Sequence, residues 1–268
     1  MYKKYNHCYN KNYYFSYNIM ITNYDDYVDK TDDIQYRHEL FNKPFRMLIA
    51  GSSGSGKTNF LVNLLVKKFI YYENVIFFSK TLQDDRKYEI IRTYFEMVKD
   101  KVDEMNAKLS KSGDTNRHEF NYMMVDDVNQ LPKLDDRSKI KPHTLIVLDD
   151  AVNEIRENKQ FHDFCSRAFS YVRHRKSSII IITQKLEKAI PTFIRSNTTH
   201  FIIFGHQTLP SITALTNYLP LEYDDIKEMF EKNIKKPHDF FVITKDAPDD
   251  KKVCLNFSQY INIREISH

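Results

Sequence analysis

The stretch from Phe45 to Leu65 reads FRMLIAGSSGSGKTNFLVNLL. Met47, Leu48, Ile49 and Ala50 form an apolar run that stops at Gly51. The next residues, Gly51-Ser52-Ser53-Gly54-Ser55-Gly56-Lys57-Thr58, fit the phosphate-binding pattern G-x-x-x-x-G-K-[ST] in full. Beyond Thr58 the apolar positions Leu61, Leu64 and Leu65 recur at helical spacing. The loop therefore has a buried strand before it and a helix after it. In that setting the backbone N–H groups from Gly51 to Asn59 and the helix N-terminus converge on one point and bind polyphosphate. Lys57 is expected to reach the β- and γ-phosphates of ATP, and the Thr58 hydroxyl to ligate Mg²⁺. The chain has only five glycines, and Gly51, Gly54 and Gly56 are among them.

Working outward, Pro44 bars a central strand before Phe45. Upstream, residues 1–40 carry many tyrosines among Asn and Lys, without a period, and then Asp25, Asp26, Asp29, Asp32 and Asp33. This segment reads as an N-terminal extension, either a loosely docked arm or one whose aromatics stack on a partner or on bases. The nucleotide-binding domain is expected over 41–268. Downstream, a helix over 61–70 leads to the apolar run Asn74 to Phe78. Strand, helix and strand in alternation imply parallel pairing with right-handed crossovers. A charged helix is expected over 84–110, a strand over Phe120 to Val125, and a loop with a helical turn over 126–141.

Leu145-Ile146-Val147-Leu148-Asp149-Asp150 is the second decisive segment. Four aliphatic residues mark a strand buried on both faces, and two carboxylates stand at its carboxyl end, where open α/β sheets bind ligands. Asp149 is expected to hold Mg²⁺, directly or through water. Asp150 is expected to orient or deprotonate an attacking water. Residues 159–174 place Phe161, Phe164, Cys165, Ala168, Phe169 and Val172 on one helical face, which is core. Arg173, His174, Arg175 and Lys176 then gather where a helix C-terminus favours positive charge, or where DNA or a neighbour's ATP is met.

Ser178 to Gln184, SIIIITQ, is a third buried strand with polar residues at its end. Thr183 or Gln184 there can hydrogen-bond the γ-phosphate or its water. Arg195 lies between a proline-started helical turn and the strand His200 to Phe204. It is a candidate arginine finger, or else an exposed salt-bridging residue. The remainder reads as helices around 210–218 and 222–234 and strands at Phe240 to Ile243 and Val253 to Phe257.

Bulk properties narrow the class. A chain of 268 residues with net charge +4 suits one large α/β domain with an extension, and permits nucleic-acid contact without demanding it. Cys8, Cys165 and Cys254 form neither a CxxC pair nor a zinc pattern, which fits a reducing compartment. No apolar run approaches the roughly 18 residues of a membrane span, and no signal peptide is legible, so a soluble intracellular protein without membrane contact is expected.

In their order, MLIAGSSGSGKTNF, VIFFSKTLQDD, TLIVLDDAVNE, FSYVRHRKSSIIIITQ and IPTFIRSNTTHFIIFG resemble the packaging ATPases of the FtsK–HerA superfamily. The likeness is greatest to the poxvirus A32-like proteins of large DNA viruses and Polinton-type elements, and it covers residues 45–205. The resemblance implies an α/β P-loop NTPase fold of the RecA/ASCE-like kind, with a mostly parallel central sheet flanked by helices. It further implies a homo-oligomeric ring, commonly hexameric, that hydrolyses ATP with Mg²⁺ and drives double-stranded DNA into a capsid. Capsid or portal proteins would be its partners, and a viral factory or virion its place. By position Gln184 looks like the family's polar sensor. Arg195, or else Arg173 or Arg175, looks like the arginine acting across a subunit boundary. Asp150 departs from the Glu that many relatives carry there.

Other classes fit less well. A GTPase needs Asp-x-x-Gly, yet no Asp lies three residues before Gly113 or Gly205, and Thr244-Lys245-Asp246 has the wrong spacing for a guanine motif. A small-molecule P-loop kinase needs an Arg-rich lid, for which Asp85-Arg86 is a poor stand-in. An ATP-bound scaffold with vestigial hydrolysis shares every binding residue with a motor.

Overall fold

The computed structural model describes residues 38–41, 43–113, 115–134, 140–171, 176–184, 186, 190–205 and 209–266. The aliphatic runs legible in the sequence become adjacent strands: β1 (Arg46–Ala50), β2 (Asn74–Ser79), β3 (Asn121–Val125), β4 (Thr144–Asp149), β5 (Ser178–Thr183) and β6 (His200–Phe204). These pair in parallel. β7 (Phe240–Thr244), β8 (Val253–Leu255) and β9 (Gln259–Ile261) extend the sheet antiparallel from β6. The resulting nine-stranded order is β3-β2-β4-β5-β1-β6-β7-β8-β9.

The central strands are apolar along their whole length because both faces are covered. In β1, Leu48 and Ala50 enter one buried cluster while Met47 and Ile49 enter the other. The same alternation divides Ile146 and Leu148 from Leu145 and Val147 in β4. One face is covered by α1 (Lys57–Val66) and α2 (Arg86–Lys111) through Phe60, Leu61, Leu64, Leu65, Ile91 and Phe95. The other is covered by α3 (Val152–Glu157), α4 (Lys159–Tyr171), α5 (Thr192–Asn197), α6 (Leu209–Leu215) and α7 (Tyr223–Asn233). Cutting a fully buried central residue such as Ile180 to Ala removes apolar contact on a face that cannot collapse, at about 2–5 kcal/mol.

Element ends depart from the sequence reading where local hydrogen bonds decide them. The helix expected over 61–70 instead runs from Lys57 to Val66. It starts early because Gly56, at φ 108, turns its carbonyl to accept from Phe60 N at 2.8 Å. It stops early because Lys68 adopts φ 51, with Lys68 N bonded to Leu65 O and Phe69 N to Leu64 O. That pair of bonds is a Schellman ending, built here without the usual glycine. The strand expected over Val253 to Phe257 ends at Leu255, because Asn256 and Phe257 take φ 50 and 59 and turn the chain into β9. Asn256 is held in that turn by distant groups: it donates to Asp239 Oδ1 at 2.7 Å and accepts from Phe240 N at 2.9 Å.

The turn Glu39–Phe41, at the expected junction between extension and domain, packs into the sheet's amino end. Leu40 and Phe41 are buried there, and His200 Nε2 donates to the Leu40 carbonyl at 2.9 Å. No helix among the described residues is long and apolar enough to cross a membrane.

Candidate nucleotide site

The parallel strands all end at one sheet edge, and the loops leaving that edge carry the chemistry. After β1 the chain enters the Gly51–Thr58 loop. Gly51 N donates to Thr183 O at 3.3 Å, and Ser55 N to Ser52 O at 3.2 Å. Gly51 cannot be replaced without displacement: a Cβ there would lie 2.6 Å from Ser55 Oγ and 2.7 Å from Phe204 Cβ. Gly56 lies in the left-handed region that favours glycine, at φ 108. α1 then presents its free N–H groups at the loop, with Thr58 half-buried and Asn59 exposed.

Lys57 Nζ donates to Gly51 O at 2.7 Å and to Ser52 O at 2.8 Å, so its ammonium is folded into the loop's own turn. Partial burial lowers its pKa, opposed by the charges of Asp149 and Asp150. Those carboxylates stand at and just past the end of β4, which is not β1's neighbour. β5 lies between them, with Ala50 beside Thr183 and Ile182 beside Asp149. Two strand spacings put the loop strand and the carboxylate strand about 10 Å apart. Gln184, exposed, is the next residue after Thr183 and stands at the edge between them.

Asp149 is buried and Asp150 is exposed. Burial raises the Asp149 pKa. Tyr88's hydrogen bond and Lys57 pull it down, while Asp150 pushes it up. Asp150 takes φ 51, a left-handed geometry that Asp tolerates better than most residues, and it swings the chain from the buried strand into α3. Non-glycine residues in this region cluster at functional sites.

Ser55 Oγ is buried and has no hydrogen-bond partner among the described residues. An unanswered hydroxyl inside the loop, left-handed glycines and an adjacent lysine suit a polyphosphate. No group of three or more His, Cys, Asp or Glu side chains placed to hold a metal occurs among the described residues. A strand-end carboxylate, Asp149, and a hydroxyl at the start of α1, Thr58, are the ligand types that suit Mg²⁺, which takes few protein ligands and completes its shell with phosphate and water.

The structure gathers Lys57, Thr58, Asp149, Asp150 and Gln184 at this edge and does not bring Arg195 to them. Arg195 Nε donates to Ile190 O at 3.1 Å, and its guanidinium also bonds Tyr218. Two residues on, Asn197 O accepts from Arg46 Nε at the start of β1, the opposite end of the strand from the loop. Arg173 and Arg175 lie outside the described residues.

Two contacts escaped sequence reasoning. Tyr88, from the first turn of α2, donates to Asp149 Oδ2 at 2.7 Å. His238, just before β7, donates through Nδ1 to Ser55 O at 3.0 Å and lies against Gly56. Neither belongs to a motif. Only the strand order brings β7 beside β6 and places α2 over Asp149.

A parallel sheet whose edge joins this loop, its lysine and a strand-end carboxylate pair defines a P-loop NTPase. Within that class the chain belongs to the poxvirus A32 protein family, described as "Poxvirus A32 protein", which it matches over residues 33–259. It is 27% identical over 175 residues to the DNA packaging protein OPG160 of Variola virus, and equally so to that of Vaccinia virus strain Western Reserve. The matched stretch covers 63% of this chain and 56% of those proteins, so the chain spans about half the length of these relatives. Among solved structures it shares its fold with the genome packaging NTPase B204 from Sulfolobus turreted icosahedral virus 2. That likeness has a TM-score of 0.50 at 13% identity and covers 82% of this chain and 98% of the other.

Proposed function

We propose that the chain hydrolyses ATP with Mg²⁺ and uses the energy to move double-stranded DNA into a viral capsid. The observation that carries this reading is the approach of Lys57 to Asp149 and Asp150 across the Gln184 strand end. The name of its relatives, DNA packaging protein, supports the DNA half of the proposal.

In this reading the N–H groups from Gly51 to Asn59 bind the phosphates. Lys57 leaves its loop carbonyls and sets its charge against the γ-phosphoryl group. Thr58 and Asp149 would hold Mg²⁺, which when bound would neutralise negative charge on the phosphates. Asp150, exposed and beyond the strand end, aligns the attacking water and accepts its proton. Gln184 hydrogen-bonds that water or the γ-phosphate. Arg195 sits away from its own chain's site, which favours a role across a subunit boundary, shared as alternatives with Arg173 and Arg175. The assembly is then a ring, expected to be a hexamer, with capsid or portal proteins as partners in a viral factory or virion. Residues 1–40 act as an extension to the 41–268 ATPase domain.

Phosphate release by the purified chain, with and without duplex DNA, tests the reading. The motor predicts turnover that DNA stimulates, and its loss in Asp150→Asn with ATPγS binding retained. Phosphoryl transfer to a small acceptor instead would identify a kinase. Nucleotide binding without turnover, whatever DNA is added, would identify a scaffold.

A further inference from the structure

The carboxylate expected to serve the cation is not positioned by its strand alone. Tyr88 is 3% exposed, and its hydroxyl donates to Asp149 Oδ2 at 2.7 Å. Ser79, opposite Asp149 in the β2–β4 register and fully buried, has its Oγ 3.2 Å from Tyr88 Oη. Thr81 N in turn donates to Ser79 Oγ at 3.3 Å.

An ionised carboxylate only accepts hydrogen bonds, and a phenol has one proton to give. Tyr88 must therefore donate to Asp149, and its oxygen receives from Ser79 Oγ, with the Thr81 side chain also bonded to it. The chain of donors runs one way, from the Thr81 amide through both hydroxyls to Oδ2. The ring of Tyr88 packs edge-on against Phe77 with centroids 5.4 Å apart, a contact that phenylalanine would make equally well. The hydroxyl is thus the part of this residue that packing does not explain.

We infer that Tyr88 is the positioning residue for Asp149: its hydroxyl fixes Oδ2 and so orients the carboxylate that would serve a divalent cation. This rests on the nucleotide-site reading above. The hydroxyl also ties the first turn of α2 to the site, so a shift of that helix alters how the carboxylate is presented. Outer hydrogen bonds of this kind change metal affinity or activity by about 10–100-fold when removed.

The test uses the full chain and its Tyr88→Phe variant, with Mn²⁺ binding read by electron paramagnetic resonance in the presence of ATPγS. ATPγS affinity in EDTA is measured alongside. The inference predicts about a tenfold loss of Mn²⁺ affinity in Tyr88→Phe, with metal-free nucleotide affinity unchanged. Turnover should recover toward the wild-type rate at high Mg²⁺. Mn²⁺ affinity within twofold of wild type overturns it, as does equal loss of metal-free nucleotide binding, which marks a packing role. Should Tyr88→Phe fail to fold, Ser79→Ala carries the same measurement: about a threefold loss of Mn²⁺ affinity supports the donor chain, and none overturns it. A wild-type chain that binds ATPγS but no Mn²⁺ overturns the inference and leaves the phosphate loop standing. A wild-type chain that binds neither overturns the site reading itself.

Discussion

His200 gives the folded chain a measurable pH dependence. Its ring is buried at the start of β6, with Nε2 donating to the Leu40 carbonyl at 2.9 Å and Nδ1 2.9 Å from Thr199 Oγ1. Burial lowers its pKa from 6.5 to about 4, against smaller upward pulls from the Leu40 carbonyl and Asp246. Above pH 6.5 the ring is neutral in folded and unfolded chains alike, and its full contribution to stability is present. Between 6.5 and about 4 the unfolded chain takes up a proton that the folded chain refuses, so stability falls as the pH falls. That gap, at about 1.4 kcal/mol per pH unit, amounts to about 3 kcal/mol once the pH is below both values. The perturbation is His200→Gln, which keeps a donor for Leu40 and removes the titration. Urea unfolding of both proteins from pH 8 to pH 4 isolates the effect as the difference between them. The wild type should lose about 3 kcal/mol relative to the variant, nearly all of it below pH 6.5. A difference that stays flat across the range would mean that the ring protonates freely in the native state, and would refute the packing of Leu40 onto β6.

Lys57→Ala should abolish turnover, because the charge opposite the transferred phosphoryl is gone; a filter-binding and phosphate-release pair checks this, and retained turnover would remove Lys57 from the mechanism. Gly51→Ala should weaken ATPγS binding and lower stability by about 1–3 kcal/mol, since its Cβ meets Phe204 Cβ at 2.7 Å; unchanged calorimetric affinity and melting would contradict the loop geometry. On the proposed trans role, Arg195→Ala should lower turnover in any assembled oligomer by up to about 10³-fold and leave isolated chains unaffected, measured by phosphate release against particle mass. Equal loss in monomers would show that Arg195 acts within its own chain.

Much of the fold follows from runs of sequence too short to need tertiary help. A strand buried on both faces must be apolar throughout, so β1, β4 and β5 are legible as Met47–Ala50, Leu145–Leu148 and Ile179–Ile182. A phosphate loop needs glycine where the backbone turns left-handed, so Gly54 and Gly56 are legible as well. Element ends were less so. Lys68 closes α1 in a conformation that glycine usually takes, and Asn256 turns the chain because Asp239 and Phe240 hold its side chain.

What the residues dictate alone is which segments are strands, which loop carries the phosphate-binding pattern and which strand ends in carboxylates, since each rests on neighbours along the chain. Tertiary structure decides who meets whom. It sets β5 between β1 and β4, brings Tyr88 to Asp149 across 61 positions and His238 to Ser55 across 183, and leaves Arg195 remote from its own site. Hydrogen bonds and charge fall off within a few ångströms, so these partners are defined by proximity in space, which no local spacing encodes.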